Sequence, residues 1–255
     1  MFTRFVYSME ISLKPEIIAT IFRFPVSNSL VLSVTTALLL VLGGFFAVLS
    51  LRVVPRKVQN GVEFVVETIL DFMTGILGNR ETAKQYFPLI ASFFLFILFN
   101  NWLGVLPGTG SFGIKEVVHG KETILPLFRS ANSDLNTTLA LALISVFAIQ
   151  WYGVRKLGLI KHLSKFFVFT KGPINFFVGI LEFIAEFAKI LSFSFRLFGN
   201  VFAGEVLLLI IMTLVPLLAP SPFFLLEFFV GFIQALVFSM LTLIFLKIAT
   251  ETVEH

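Results

Sequence analysis

Between residues 182 and 205 an apolar run, EFIAEFAKILSFSFRLFGNVFAGE, carries Glu182, Glu186, Lys189, Arg196, Asn200 and Glu205. Ionised groups in hydrocarbon are costly, roughly 2.5–3.5 kcal/mol for an Arg or Asp at a helix centre. Several in one apolar helix point to proton or ion handling, or to ion pairs that only hold the fold. At about 100° per residue, Glu182, Glu186, Lys189, Arg196 and Asn200 share one narrow stripe, while Glu205 lies well round the helix. Two polar routes meeting near one arginine fit this pattern better than one continuous pore. Arginine keeps its proton at any biological pH, whereas carboxylates can take up and release protons. Farther along, Glu227 and Gln234 share one face of a second apolar run, two turns apart. In an antiparallel hairpin centred near Pro216, Glu227 would lie close to Glu205, and Gln234 close to Arg196. Gly199, Ala203 and Gly204, with Gly231 opposite, would then allow a close helix–helix approach.

The elements that must position these groups are apolar. The chain has 255 residues, 57% hydrophobic and 13% charged, against about 25% charged in a soluble domain. That composition predicts an all-α polytopic membrane protein. The absence of cysteine excludes disulfides, thiolate metal sites and cysteine nucleophiles. No secretory signal is expected, because the first long apolar run begins near Leu30 with no small-residue cleavage site after it. No internal repeat or low-complexity linker divides the chain, so residues 1–255 read as one membrane domain. Within it, 1–29 form an external segment, 30–172 three spans and an interfacial helix, and 173–255 a channel hairpin.

About five transmembrane helices are expected. Residues 30–51, 86–106 and 135–154 are each about long enough to cross ~30 Å of hydrocarbon. Before them, Pro15 predicts a short amphipathic helix ending before Pro25. Over 58–78, Val58, Val62 and Val65 oppose Gln59, Glu63, Glu67 and Asp71; a place in the membrane interface and a face docked on a partner subunit fit equally. Asn100, Asn101 and Trp102 close the second span, the tryptophan suiting the interfacial aromatic belt. Residues 173–219 would make a helix of about 70 Å, more than twice the hydrocarbon thickness, so it must break or tilt steeply. Pro216, Pro220 and Pro222 then turn the chain into a last helix over 223–247. The loop over 108–134 balances Lys115, Lys121 and Arg129 against Glu116 and Glu122, whereas Arg155, Lys156, Lys161, Lys165 and Lys171 have no nearby acid. Basic excess in the loops at 52–85 and 155–172 places those loops and the C-terminus inside, with the N-terminus and 108–134 outside.

FSFRLFGNVFAGE, followed by FIQALVFSMLTLIF, resembles the signature of the a subunit of F-type ATP synthases (the ATPase A chain family), the stator proton channel beside the rotor ring. FPLIASFFLFILFNNWLGVLPG and SDLNTTLALAL are similar to the same family. The resemblance implies two offset half-channels with Arg196 as the gate between them. It places the outer-channel acid on Glu205, an associated asparagine on Asn200 and a glutamine on Gln234. Glu227 falls on a position held by His, Glu or Gly in the family, so this chain has no channel histidine. Glu182 and Lys189 fall on family positions in the inner half of the long helix, and Glu186 joins them by face. The implied mechanism has a rotor carboxylate take a proton from the outer route, rotate while neutral, and release it to the inner route. Implied partners are the ring of c subunits, the peripheral-stalk b subunits, the remaining synthase subunits and the lipid bilayer, without nucleic acid. No cofactor, no metal and no catalysis by the chain alone are expected. The implied location is a bacterial inner (plasma) membrane, with an organellar energy-transducing membrane as the alternative.

Plainer readings stand beside these. Arg196 could serve a structural ion pair, and Glu205 and Glu227 could merely partner one another. Lys189 can pair with Glu186 at i,i+3, leaving Glu182 and Glu186 as inner-interface residues. Asp134 fits a helix N-cap as well as an outer-entry proton carrier. His119, His162 and His255 fall in loops or at the terminus, where metal or relay roles are not expected. A secondary transporter would show internal repeats and broken helices. A purely structural membrane anchor would tolerate loss of Arg196. No phosphate-binding glycine loop, catalytic triad or metal cluster supports a soluble enzyme.

Overall fold

The computed structural model describes residues 15–21, 23–52, 57–106, 113–118, 121–126, 129–163, 173–215 and 220–251. The helices are α1 (Asn28–Leu49), α2 (Lys57–Leu77), α3 (Arg80–Val105), α4 (Leu135–Leu157), the single-turn α5 (Leu159–Leu163), α6 (Pro173–Leu214) and α7 (Pro220–Thr250). Among the described residues α1, α3, α4, α6 and α7 are long and apolar enough to cross a membrane. The chain is a multi-pass, helical membrane protein. Residues 107–112 and 216–219, with Pro107 and Pro216, and the basic positions Lys165 and Lys171 lie outside the described residues.

Helix ends follow local chemistry. The Ser27 hydroxyl accepts from the Leu30 amide to open α1, and Asn79 Oδ1 accepts from the Glu81 and Thr82 amides to open α3. Gly78 at φ 74° and Gly158 at φ 83° terminate α2 and α4 in the left-handed region. Pro220 occupies the first position of α7, where its missing N–H is not needed.

One expectation fails at the start. Residues 17–27 form an antiparallel hairpin, β1 (Ile17–Ile21) on β2 (Phe24–Ser27), in place of the helix from Pro15. β-Branched Ile17, Ile18, Thr20, Ile21 and Val26 favour strand over helix, and Arg23 at φ 71° makes the turn. A second hairpin, β3 (Gly113–Val118) on β4 (Lys121–Pro126), lies within the 108–134 loop.

The centre of the fold is α3 packed on α7, with α4 joining α7 to α6. Tyr86, Ile90, Ile97, Leu243 and Leu246 are wholly enclosed, and Phe193 of α6 sits at 5.1 Å from Phe238 and 5.8 Å from Phe245. On α6 one stripe is buried, Phe193, Leu197, Val201, Gly204 and Leu208, at the three-to-four spacing of a single helix face. The other face, with Phe183, Ile184, Phe187, Leu191 and Phe195, is exposed, as are Leu38, Leu42 and Phe45 of α1. Of the two ways expected for the long run, a break is absent from Pro173 to Leu214: α6 is one helix of 42 residues, about 63 Å long.

Polar side chains tie the helices together. Thr138 and Ser194 hydroxyls meet at 3.2 Å, and Ser145 meets Thr242 at 2.8 Å. At the other end of α7, Lys247 donates to the Ile76 carbonyl at 3.0 Å. In hydrocarbon such bonds are the alternative to unsatisfied polar groups.

The tightest junction is a short 3-10 turn, Ala131–Ser133, between β4 and α4. Asn132 Nδ2 donates to Asn101 Oδ1 at 2.7 Å and to the Ile97 carbonyl at 3.3 Å. Asn101 in turn donates to the Gly231 carbonyl of α7 at 3.0 Å, and Thr36 of α1 donates to Asn100 Oδ1 at 3.2 Å. Asn100 and Asn101 thus face the interior, where they join α1, α3, the turn and α7. Gly104 abuts the Ser130 backbone so closely that a Cβ there would overlap it. Overpacking against backbone costs about 1–3 kcal/mol. Gly104→Val is therefore expected to lower the thermal stability of the assembled protein, while Gly43→Val in α1, where a Cβ meets open space, leaves it unchanged.

Candidate functional site

The charged groups of α6, together with Glu227 of α7, separate into three places. Nearest the start of α6, Lys189 Nζ contacts Glu186 Oε1 at 2.6 Å and lies 4.7 Å from the Phe245 ring centroid. Glu182 and Glu186 are half-buried one turn apart on the same side of the helix. The i,i+3 pairing expected of Lys189 and Glu186 is present.

Arg196 stands a little under two turns further on, and it is exposed. Its Nη2 donates to the Ser192 hydroxyl at 3.1 Å. A shallow cleft of about 260 Å³ runs beside it, lined by Lys189, Ser192, Phe193 and Arg196 on α6 and by Leu241 and Phe245 on α7. Gln234, half-buried on α7 two turns before Leu241, is not among the residues lining that cleft. Helical side chains lean towards the N-terminus of their own helix, which carries the guanidinium back to Ser192. Asn200 is exposed one turn beyond Arg196.

The third place is where α6, α7 and the 3-10 turn meet. Glu205 Oε2 pairs with Arg129 Nε at 3.2 Å, and Ser133 and the Ser130 backbone also stand at its carboxylate. Glu227 of α7 is 7% exposed, and its carboxylate fills the space where a Cβ on Gly204 would be. That brings Glu227 beside the residue preceding Glu205, close enough for the two carboxylates to interact. Of the small residues expected to line the contact, only Gly204 meets α7 in this way. Gly199 faces open space, and Gly231 packs on Asn101 of α3.

Asp134 is buried at the start of α4, where Oδ1 accepts from the Asn136 amide at 3.0 Å and Oδ2 accepts from the Ser29 hydroxyl at 3.1 Å. This is the geometry of an N-cap that also ties α4 to α1. His162 is in α5 and not in a loop; it is buried against Gly153, with Nε2 at 2.6 Å from Gln150 Oε1. Among the described residues no group of three His, Asp or Glu side chains could hold a metal.

Arg129 and the serines around it were not singled out from the sequence. Arg129 lies 76 residues from Glu205, in a loop whose charges sum to nearly nothing locally. The only pointer was the arginine's place just before SANSDLN, ahead of a span.

The chain matches the family described as ATP synthase A chain over residues 30–247. It is 32% identical over 221 residues to "ATP synthase subunit a" of Campylobacter jejuni subsp. jejuni strain 81-176, covering 86% of this chain and 88% of that one. It is also 34% identical over 224 residues to "ATP synthase subunit a" of Helicobacter pylori strain G27, covering 87% and 88%. Of the two readings of Asp134, the cap has its hydrogen bonds in place. Asparagine caps as well as aspartate does, whereas alanine costs about 1 kcal/mol. Asp134→Asn is expected to leave ATP-driven proton pumping of the assembled complex intact and Asp134→Ala to lower its thermal stability; loss of pumping in an assembled Asn variant would favour the proton-carrier role.

Proposed function

Because the chain belongs to the ATP synthase A chain family, we propose that it is the stator subunit that carries protons past a rotor through two offset half-channels. The observation that carries this reading is the exposed Arg196, in the middle of a 42-residue helix and on a side it shares with Ala185, Ala188, Lys189 and Ser192. A guanidinium cannot be neutralised by losing its proton. On a lipid-facing side it would cost several kcal/mol, so that side suits a partner bearing a carboxylate.

In this reading Glu205 and Glu227, with Asn200 and Gln234, line the outer half-channel. Glu182, Glu186 and Lys189 line the inner one, and Arg196 separates them. A ring of c subunits brings a carboxylate to the outer route, where it takes a proton and becomes neutral enough to face lipid. After nearly a full turn it meets the inner route and gives the proton up. Arg196 attracts the returning anion and repels a proton that would cross directly. The attraction is about 4 kcal/mol at 4 Å with an effective dielectric of 20, before desolvation is subtracted. That biases ionisation without locking the rotor. A 63 Å helix fits a bilayer only if steeply inclined, which would let α6 follow the curved ring.

The chain itself catalyses no bond rearrangement in this scheme; the peripheral-stalk b subunits hold it against rotation while ATP is made or hydrolysed elsewhere. The bacterial relatives and the run of spans support a bacterial inner membrane, with basic loops inside. One membrane domain, 1–255, contains the whole route.

Replacing Arg196 with Ala tests the gate. In inside-out vesicles, ATP-driven acidification is expected to fall at least tenfold with the complex still assembled, and passive leak after removal of the catalytic head reports the lost barrier. Normal acidification by an assembled Arg196→Ala complex would overturn the gate and leave a structural anchor.

A further inference from the structure

We infer that Arg129 is a positioning residue of the outer half-channel, a fixed counter-charge that sets how readily Glu205 takes and releases a proton. The inference rests on the outer-route reading of Glu205 and adds to it a third charged member contributed by the loop before α4.

The geometry is that of a bracket. Arg129 Nε donates to both Glu205 Oε2 and the Ser133 hydroxyl, each at 3.2 Å. The Ser133 hydroxyl donates to the Ser130 carbonyl at 2.8 Å, and Ser130 and Ser133 are at most 1% exposed. The turn that carries them is itself held by Asn132 on Asn101 and Ile97. Its next residue, Asp134, is held by Ser29. Four helices, α1, α3, α4 and through Asn101 also α7, therefore fix the place of one arginine. The Arg129 and Glu205 side chains are only 16% and 24% exposed, so the pair is screened far less than a surface pair.

The charges facing Glu205 come from separate elements, Arg129 from the loop and Glu227 from α7, while the nearby Asp134 carboxylate at the start of α4 is turned to Ser29 and Asn136. Two carboxylates and one guanidinium carry no net charge when the carboxylates hold one proton between them. A proton arriving at Glu205 turns an ion pair into a neutral acid beside a cation, so each passage must loosen the Arg129 contact and each release restores it. Arg129 keeps its own proton throughout. The arginine does not carry the proton; it decides at what outer pH the carboxylate is loaded.

The test uses the whole complex in proteoliposomes with the catalytic head outside, so that the lumen is the outer side. ATP synthesis is measured against lumen pH at fixed external pH and fixed potential. Removing a cation from within a few ångströms of a carboxylate moves titration by about one pH unit or more. Arg129→Gln is expected to shift the lumen-pH profile to higher pH by that amount, and Arg129→Lys to leave it near that of the native chain. Glu205→Gln/Arg129→Gln should behave as Glu205→Gln alone. If Arg129→Gln prevents assembly, Ser133→Ala, which removes one side of the bracket, should give a smaller shift in the same direction. An assembled Arg129→Gln or Ser133→Ala complex whose rates fall uniformly with the profile unmoved would show a merely structural arginine and overturn the inference. A Glu205→Gln complex with a native profile would instead remove the outer-route reading, and this inference with it.

Discussion

Inside hydrocarbon no water satisfies a polar group, so each buried donor and acceptor must find its partner within the chain. Side-chain hydrogen bonds gather most densely at the turn Ala131–Ser133, although the buried Asn132 Oδ1 itself accepts none. Asn132 bonds to Asn101 and Asn101 to the Gly231 carbonyl, while Thr36 bonds to the adjacent Asn100, so the two sets together join four elements. An asparagine pair in an apolar bundle has few alternative partners, so these bonds specify which helices meet and at what height. Two further ties, Thr138 with Ser194 and Ser145 with Thr242, repeat the device between α4 and its neighbours α6 and α7. Each is worth on the order of 1 kcal/mol, yet an unmatched group in its place would cost more.

With that junction set, α6 is free to be two-sided. Its buried stripe of Phe193, Leu197, Val201 and Leu208 needs only one side of the helix, and the other side is left for lipid or a partner. The charged residues do not obey one rule along it. Lys189 and Glu186 neutralise each other locally, and Glu205 is neutralised by a distant loop. Arg196 has only a serine hydroxyl among its described contacts. A cation left so, between two ion pairs that were each completed, is the clearest sign on this helix of a partner outside the chain.

The spans were legible because hydrophobic run length is a strong local signal. The expected 30–51, 86–106 and 135–154 lie within or beside Asn28–Leu49, Arg80–Val105 and Leu135–Leu157. Helical spacing also separated Glu205 from the Arg196 stripe, and that separation is physical here: one residue is bracketed by the turn, the other exposed. Less legible was anything resting on distant partners. Asn100 and Asn101 read only as the close of an apolar span, since sequence does not reveal a turn thirty residues away that receives them. Arg129 looked balanced by its loop neighbours for the same reason. Gly231 was assigned to the α6 contact, but the rotation of α7 that brings Glu227 to Gly204 turns Gly231 towards Asn101. The N-terminal strand was lost to a proline-based helix signal that the run of β-branched residues outweighs.

Spacing along α6 bears on why such a site would need a moving partner at all. Arg196 and Glu205 are nine residues apart, which is about 13 Å of rise, and they lie on different sides of the helix. Proton transfer between heavy atoms requires contact at about 3 Å or a bridging water. No side chain on the described part of α6 spans that gap: between them stand Leu197, Phe198, Gly199, Asn200, Val201, Phe202, Ala203 and Gly204, of which only Asn200 is polar. Towards the other side, about 10 Å of rise separates Arg196 from Lys189 and about 15 Å separates it from Glu186. Under the proposed roles of Glu205 and Glu186, neither route reaches the other, and the arginine repels a proton passing directly between them. Only a carboxylate that travels past this helix could then link them, and its travel would be what couples the proton to rotation.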